Sequence, residues 1–111
     1  MLKDEQKGGT IMNYVVTMGE AINNMENAIR VFNNDFDSCM DYMRAAEEIV
    51  DSTTSAMEED EAISFDIYDT HFRFSALFSY KVHQFFIGME DLEEMHDMLE
   101  DEANWLNSVL S

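Results

Sequence analysis

Glu93 and His96 are the residues whose spacing is closest to a metal-binding motif. Helical bundles that bind two iron ions use Glu-x-x-His, but they also need a second such motif and two further inward-facing glutamates. One copy of this chain supplies one motif, although a dimer could supply two. Because the spacing arises easily in a helix rich in glutamate, we interpret both side chains as solvated surface and predict no metal.

Nucleophilic catalysis has one candidate here, a pair of Cys39 with one of the histidines His71, His83 and His96. Such a pair needs a nucleophile held beside a base, and no recognisable motif surrounds these residues. Cys39 falls on an apolar stripe, where a small buried hydrophobe is the expected role. The stretch "NDFDS" begins like a calcium loop but lacks the central glycine and the closing glutamate. We predict neither an enzyme nor a cofactor.

The charge of the chain is its most unusual property. Its 111 residues contain 24 Asp and Glu against six Lys and Arg, for a formal net charge of −18. Phosphate backbones and anionic membranes repel such a chain, whereas basic protein surfaces attract it. So few basic residues cannot form a nucleic-acid-binding patch. With one cysteine, no secretory signal and no apolar run of membrane length, a cytoplasmic protein without a disulfide framework is expected.

Residues 15–57 have an apolar heptad repeat, which predicts helices that pair along a narrow seam. "NNDFDS", residues 33–38, interrupts it, and Asn34 could cap a new helix. We therefore predict two helices, about 13–33 and 35–58. The unbroken phase also allows one long kinked helix, whose seam a second chain would cover, so a homodimer is expected. The two seam positions contain Val15, Ile22, Ile29, Phe36, Met43, Val50 and Met57, and Met18, Met25, Phe32, Cys39 and Ala46.

A change of period follows the acid run at residues 58–61. Apolar residues then recur at every second position, which is typical of strands. A β-hairpin at about 62–83, turning at Asp69 and Thr70, would place Phe65 opposite Phe74 and Asp66 opposite Arg73. Gly88 separates this hairpin from a final amphipathic helix, about 89–110. The predicted fold is α+β, with an all-α helical bundle as the alternative.

The final helix has an acidic side that no basic residue interrupts. Acids three or four residues apart on a helix lie about 5 to 6 Å from one another. This spacing is near that of DNA phosphates, so a rigid carboxylate array could occupy a basic DNA-binding cleft. The predicted partner-binding residues are this side and the preceding acid run: Glu58, Glu59, Asp60, Glu61, Glu90, Asp91, Glu93, Glu94, Asp97, Glu100, Asp101 and Glu102.

The stretch "KGGTIMNY", residues 7–14, looks like a gene signal read through as protein. Lys-Gly-Gly can be encoded by a strong bacterial ribosome-binding sequence, and Thr-Ile supplies the usual spacer before Met12. We interpret residues 1–11 as a translated leader or disordered tail. Residues 12–111 are then a single acidic domain from a bacterium or a bacteriophage.

With its short acidic chain, its stretches "EDLEEMHDMLEDE" and "EEDE" and this gene signal, the protein resembles the small DNA mimics that phages make to block host DNA-binding proteins. Members of that class differ in fold and target, so the resemblance assigns no residue roles. It implies a basic host partner, such as the nucleoid protein HU, a nuclease or a repair enzyme. A helical interaction protein, such as an antitoxin or adaptor using the heptad seam, is the alternative function.

Overall fold

A computed structural model describes residues 2–86, 88 and 91–110, with side chains from residue 14 onward. These residues form four helices: α1 (Leu2–Val31), α2 (Phe36–Glu58), α3 (Phe65–Phe86) and α4 (Leu92–Leu110). Because the described residues contain no strand, the α+β prediction is wrong, and the alternative, an all-α bundle, is the observed fold. Helix α1 includes residues 2–11, and their interpretation as a translated leader or disordered tail stays a prediction.

Helix α3 occupies the segment for which the alternating pattern predicted a hairpin at 62–83. Its buried residues recur every three or four positions, as they do along one side of a helix. Two of these buried residues, His71 and Ser75, are polar, whereas the aromatic residues Phe72 and Tyr80 are exposed. This exchange of polar and apolar positions hides the helical period and produces an apparent period of two. The buried residues of α3 are His71, Ser75, Phe78, Val82 and Phe85.

The helices form an up-down-up-down bundle in which sequence neighbours pack side by side and α4 closes against α1. Among the described residues, α1 does not contact α3, and α2 does not contact α4. The bundle measures 50 × 22 × 20 Å. A polar contact joins each pair of packed neighbours: Tyr14 with Asp60, Asp51 with Ser75, Lys81 with Glu94, and Glu26 with His96.

The turn between α1 and α2 is capped by Asp35, one residue beyond the predicted Asn34. Asp35 Oδ1 accepts a hydrogen bond from the Ser38 backbone amide at 3.1 Å, and Oδ2 accepts one from the Ser38 hydroxyl at 2.7 Å. A carboxylate at this position satisfies an amide that the helix leaves unpaired. The chain therefore forms two helices here instead of one long helix.

The heptad seam is buried inside the single chain. Met18 and Met25 of α1 and Met43 and Val50 of α2 are fully buried in the core, whereas Phe32, beside the turn, is partly exposed. The two seam positions therefore pair α1 with α2, so the seam no longer supplies a reason to expect a homodimer. Among the described residues, no helix combines the length and apolar character needed to cross a bilayer.

Candidate acidic interface

Helix α4 presents five exposed carboxylates on its outer side, and we call this set the α4 acidic face. Its inner side holds Leu92, Met95, Leu99 and Leu106 against the other helices. Because a helix turns by 100° at each residue, the acids between these apolar positions, apart from Glu102, lie on the outer side. The α4 acidic face consists of Glu93, Glu94, Asp97, Glu100 and Asp101.

Basic residues do little to neutralise this face. Lys81 of α3 places Nζ 3.1 Å from Glu94 Oε1. Three arginines interact within their own helices: Arg30 with Asn27 at 3.0 Å, Arg44 with Asp41 at 4.0 Å and Arg73 with Asp69 at 3.2 Å. Most of the negative charge of the α4 acidic face therefore remains available to a partner.

His96 lies at the edge of the α4 acidic face, where α4 meets α1. Its Nε2 is 3.1 Å from Glu26 Oε2, while its Nδ1 is 3.5 Å from Glu100 Oε1 and 3.9 Å from Asp97 Oδ1. A shallow groove of about 320 Å³ runs beside these groups. Glu26 thus places an α1 carboxylate beside the α4 acidic face. Sequence reasoning missed it because only the packing of α1 on α4 brings residue 26 to residue 96.

Three of these residues have donor atoms close enough to act as metal ligands. Atoms of His96, Asp97 and Glu100 lie within 4.8 Å of one another. Nitrogen and oxygen donors of this kind suit borderline divalent metals. Glu93, the other member of the Glu-x-x-His spacing, is outside this trio. Exposed acidic groups commonly lie this close without a metal, so the trio by itself indicates no metal function.

Glu102, also predicted to bind a partner, is buried between α4 and α3 instead of lying on the acidic face. Its Oε2 is 2.6 Å from Nδ1 of His71, which is fully buried. This distance indicates a short hydrogen bond between the two side chains. Nε2 of His71 has no hydrogen-bond partner among the described residues. Glu102 therefore holds two helices together and is not presented to a partner.

The first residues of the predicted acidic side have different positions. Asp91 Oδ1 accepts a hydrogen bond from the Glu93 amide at 2.8 Å, so it caps the start of α4. Asp91 is exposed, and its second carboxylate oxygen extends the acidic face by one residue. Glu90 lies outside the described residues, so its place in the interface stays a prediction.

The acid run at residues 58–61 lies at the opposite end of the bundle. Glu58, Glu59 and Glu61 are exposed there. Asp60 accepts hydrogen bonds from the Tyr14 hydroxyl at 2.7 Å and the Ala62 amide at 2.9 Å, so it stabilises the loop between α2 and α3. Burial and this contact with Asp60 raise the pKa of Tyr14 above its ordinary range.

The distance between the two predicted acidic sites follows from their contacts with α1. Tyr14 touches the end of α2, whereas Ile29 lines a groove with Glu93. These α1 residues are about 22 Å apart at 1.5 Å per residue. Along the bundle axis, the run at 58–61 is therefore about 22 Å from Glu93, at the start of the α4 acidic face, and about 10 Å from Asp101, at its end.

Helix α2 carries further exposed acids that sequence reasoning did not select. They lie three, four or seven residues apart, on the side facing away from the core, and the heptad pattern could have identified them as outward positions. Because α2 and α4 make no contact within the described residues, these acids and the α4 acidic face lie across the bundle from each other. The α2 acids are Asp37, Asp41, Glu48 and Asp51.

Comparisons with known proteins provide no relative for this arrangement: the chain matches no family model, no curated protein and no solved structure. No ligand or substrate can therefore be transferred from another protein. The geometry and charge of the bundle are the basis for inferring its function.

Proposed function

We propose that the protein is a DNA mimic, which binds and blocks the basic DNA-binding surface of a bacterial host protein in the cytoplasm. The observation that carries this proposal is the charge density of the α4 acidic face. Its five carboxylates, from Glu93 to Asp101, span about 12 Å of helix axis, an average of about one charge per 3 Å. DNA carries one charge per about 1.7 Å over both strands and about 3.4 Å along one strand. The density of this face lies between these two values.

The rigidity of α4 supports the same function. Met95, Leu99 and Leu106 are fully buried, so the backbone that carries the acids is held by the core. Binding of this rigid helix to a basic cleft would therefore cost less conformational entropy than binding of a flexible acidic tail. Glu26 and Asp91 extend the negative surface beyond the five central carboxylates.

The alternative, a helical interaction protein that uses the heptad seam, receives less support. The seam residues at the centre of α1 and α2 are buried within the chain. A partner could reach them only by separating these two helices. The acidic faces need no such opening.

Displacement of DNA from a basic protein tests the proposal. The nucleoid protein HU, bound to a fluorescent DNA duplex, is titrated with this chain while fluorescence anisotropy is recorded. We expect the chain to release the duplex at low salt and to lose this ability as salt rises, because the contact is electrostatic. A lysate pull-down eluted with a salt gradient, with proteins identified by mass, extends the test to nucleases and repair enzymes.

A matched pair of variants locates the contact. The first, E93Q/D97N/E100Q/D101N, neutralises four carboxylates of the α4 acidic face. The control, E20Q/D41N/E48Q/D66N, removes the same charge from exposed acids on α1, α2 and α3. We expect the first variant to bind at least tenfold more weakly, a change of about 1.4 kcal/mol, and the control to change affinity much less. Equal losses would mean that net charge, and not the α4 array, drives binding.

A further inference from the structure

Helix α3 exposes a row of large apolar side chains that the bundle does not use. Phe65 is 73% exposed, Tyr80 59%, Phe72 50% and Leu77 49%. Together with Ala76, which lies between them on the helix surface, these residues form what we call the α3 apolar face. Eight large hydrophobic side chains are exposed in the described residues, and α3 supplies four of them. An apolar patch of this kind on one element is typical of an interaction surface.

Two aromatic rings of this face contact Tyr68, which lies between them and is partly buried. Ring centroids of Phe65 and Tyr68 are 6.4 Å apart, and those of Tyr68 and Phe72 are 6.0 Å apart. Beside Phe72 and Ala76, a groove of about 290 Å³ separates α3 from α2. The surface is therefore broad and partly concave, unlike a single exposed side chain.

The charge of α3 also differs from that of the helices beside it. Residues 65–86 contain two acids, Asp66 and Asp69, and two bases, Arg73 and Lys81, for a net charge of zero. Helix α4 has six acids and no base. Two copies of a chain with a net charge of −18 repel each other over most of their surface. Around the α3 apolar face this repulsion is smaller than around α4.

We propose that the α3 apolar face binds a second copy of this chain, with the two α3 helices antiparallel. A two-fold axis near residues 72 and 73, the centre of the face, sets Phe65 opposite the partner's Tyr80. Asp69 then lies about 4.5 Å along the axis from the partner's Arg73, within reach of its guanidinium. Parallel helices would instead bring Asp66 and Asp69 together with the partner's same residues. Charge complementarity therefore selects the antiparallel pair.

Acids at the edge of this interface determine its salt dependence. Asp51 and Glu58 of α2 line the groove beside Phe72, and an antiparallel two-fold brings the partner's α2 to the same side. Salt screens this repulsion and leaves the apolar contact intact. The dimer should therefore strengthen as salt rises, whereas binding of a basic protein to the α4 acidic face should weaken.

Sedimentation equilibrium of the full chain, over a range of concentration and salt, tests the proposal. We expect a monomer–dimer equilibrium whose dissociation constant falls as salt is added. Phe72→Glu should raise that constant at least tenfold, which corresponds to about 1.4 kcal/mol. Val16→Glu is the matched control, because it adds the same charge to a 54% exposed apolar position on α1. The control should raise the constant much less than Phe72→Glu does.

A charge reversal tests the antiparallel arrangement. D69R should weaken the dimer, since it places arginines together in the proposed pair, and D69R/R73D should recover most of the loss. Circular dichroism shows whether each variant keeps its helices. A chain that stays monomeric up to about 1 mM, or a dimer that F72E and V16E weaken equally, would overturn the proposal. The α3 variants keep the α4 acidic face, so failure here leaves the DNA displacement result unaffected.

Discussion

Two histidine–carboxylate contacts join α4 to its neighbours, and they differ mainly in burial. His71 of α3 and Glu102 of α4 lie 2.6 Å apart, with 0% and 10% of their side-chain surfaces exposed. His96 of α4 and Glu26 of α1 lie 3.1 Å apart, with 16% and 55% exposed. Helix α4 thus supplies the glutamate of a contact in the core and the histidine of a contact at the surface.

The comparison teaches that burial determines what each contact does. Neither partner of the buried pair can exchange its hydrogen bond for one with bulk water, so loss of one partner leaves a polar or charged group stranded. The carboxylate of the surface pair is solvated whether or not it touches the imidazole, so the contact adds little stability. The buried pair therefore supports the fold, and the surface pair lies at the edge of the α4 acidic face.

Breaking the buried pair should have the largest effect on stability. His71→Leu leaves Glu102 without its partner, and Glu102→Leu leaves His71 fully buried with both ring nitrogens unpaired. We expect each single variant to lower the free energy of unfolding by about 3 kcal/mol. Urea denaturation followed by circular dichroism at neutral pH measures these losses.

The double variant H71L/E102L serves as the control for the singles. Because a buried pair can be replaced by apolar residues of similar volume at little cost, its stability should return to within about 1 kcal/mol of the wild type. Single losses that simply add in the double variant would show that shape, and not pairing, makes these positions sensitive.

The helices α1 and α2 show how far the sequence predicts the fold. Their seam residues, such as Met18 and Val50, combine strong periodicity with burial, so local pattern and packing agree. In α3 they disagree, because His71 and Ser75 occupy core positions while Phe65 and Tyr80 face outward. His71 can be buried because Glu102, 31 residues further along the chain, pairs with it. A local pattern cannot reveal such a distant partner, which is why the hairpin prediction failed.

The candidate site was predictable to a similar extent. Acids such as Asp97 and Asp101 could be assigned to an outer side of α4 because apolar residues mark the inner side. Glu102, seven residues after Met95 and three after Leu99, lies on the inner side of α4. Its charge alone placed it wrongly on the outer side, because the sequence does not reveal the buried His71 that pairs with it. The contact of Glu26 with His96 could not be predicted from the sequence either, because it depends on which helices become neighbours.

Removing the surface pair should have a smaller effect. We expect Glu26→Ala and His96→Ala to show a coupling energy of about 0.2–1 kcal/mol in a double-mutant cycle. The cycle is measured by urea denaturation at low salt and again at high salt, where screening should reduce the coupling. A coupling as large as that of His71 with Glu102 would contradict the distinction drawn from burial.

The smallest expected effect concerns Asp35, which extends the comparison to a fully exposed carboxylate without a histidine. The hydrogen bond from the Ser38 hydroxyl, followed by that from the Ser38 amide, lowers the pKa of Asp35 below its ordinary value. The ionised cap therefore stabilises the folded chain above about pH 4, the pKa range of an unfolded aspartate. This stabilisation is lost as pH falls through the lower pKa of the folded state.

Asp35→Asn separates this contribution from that of the other carboxylates, because asparagine also caps helices but does not ionise in this range. The wild type should melt slightly above the variant at neutral pH, and the difference should shrink as the solution is acidified below about pH 4. Thermal unfolding followed by circular dichroism at several pH values measures it. A difference that stays constant from neutral to strongly acidic pH would show that the charge of Asp35 does not contribute, and that only its hydrogen-bonding geometry matters.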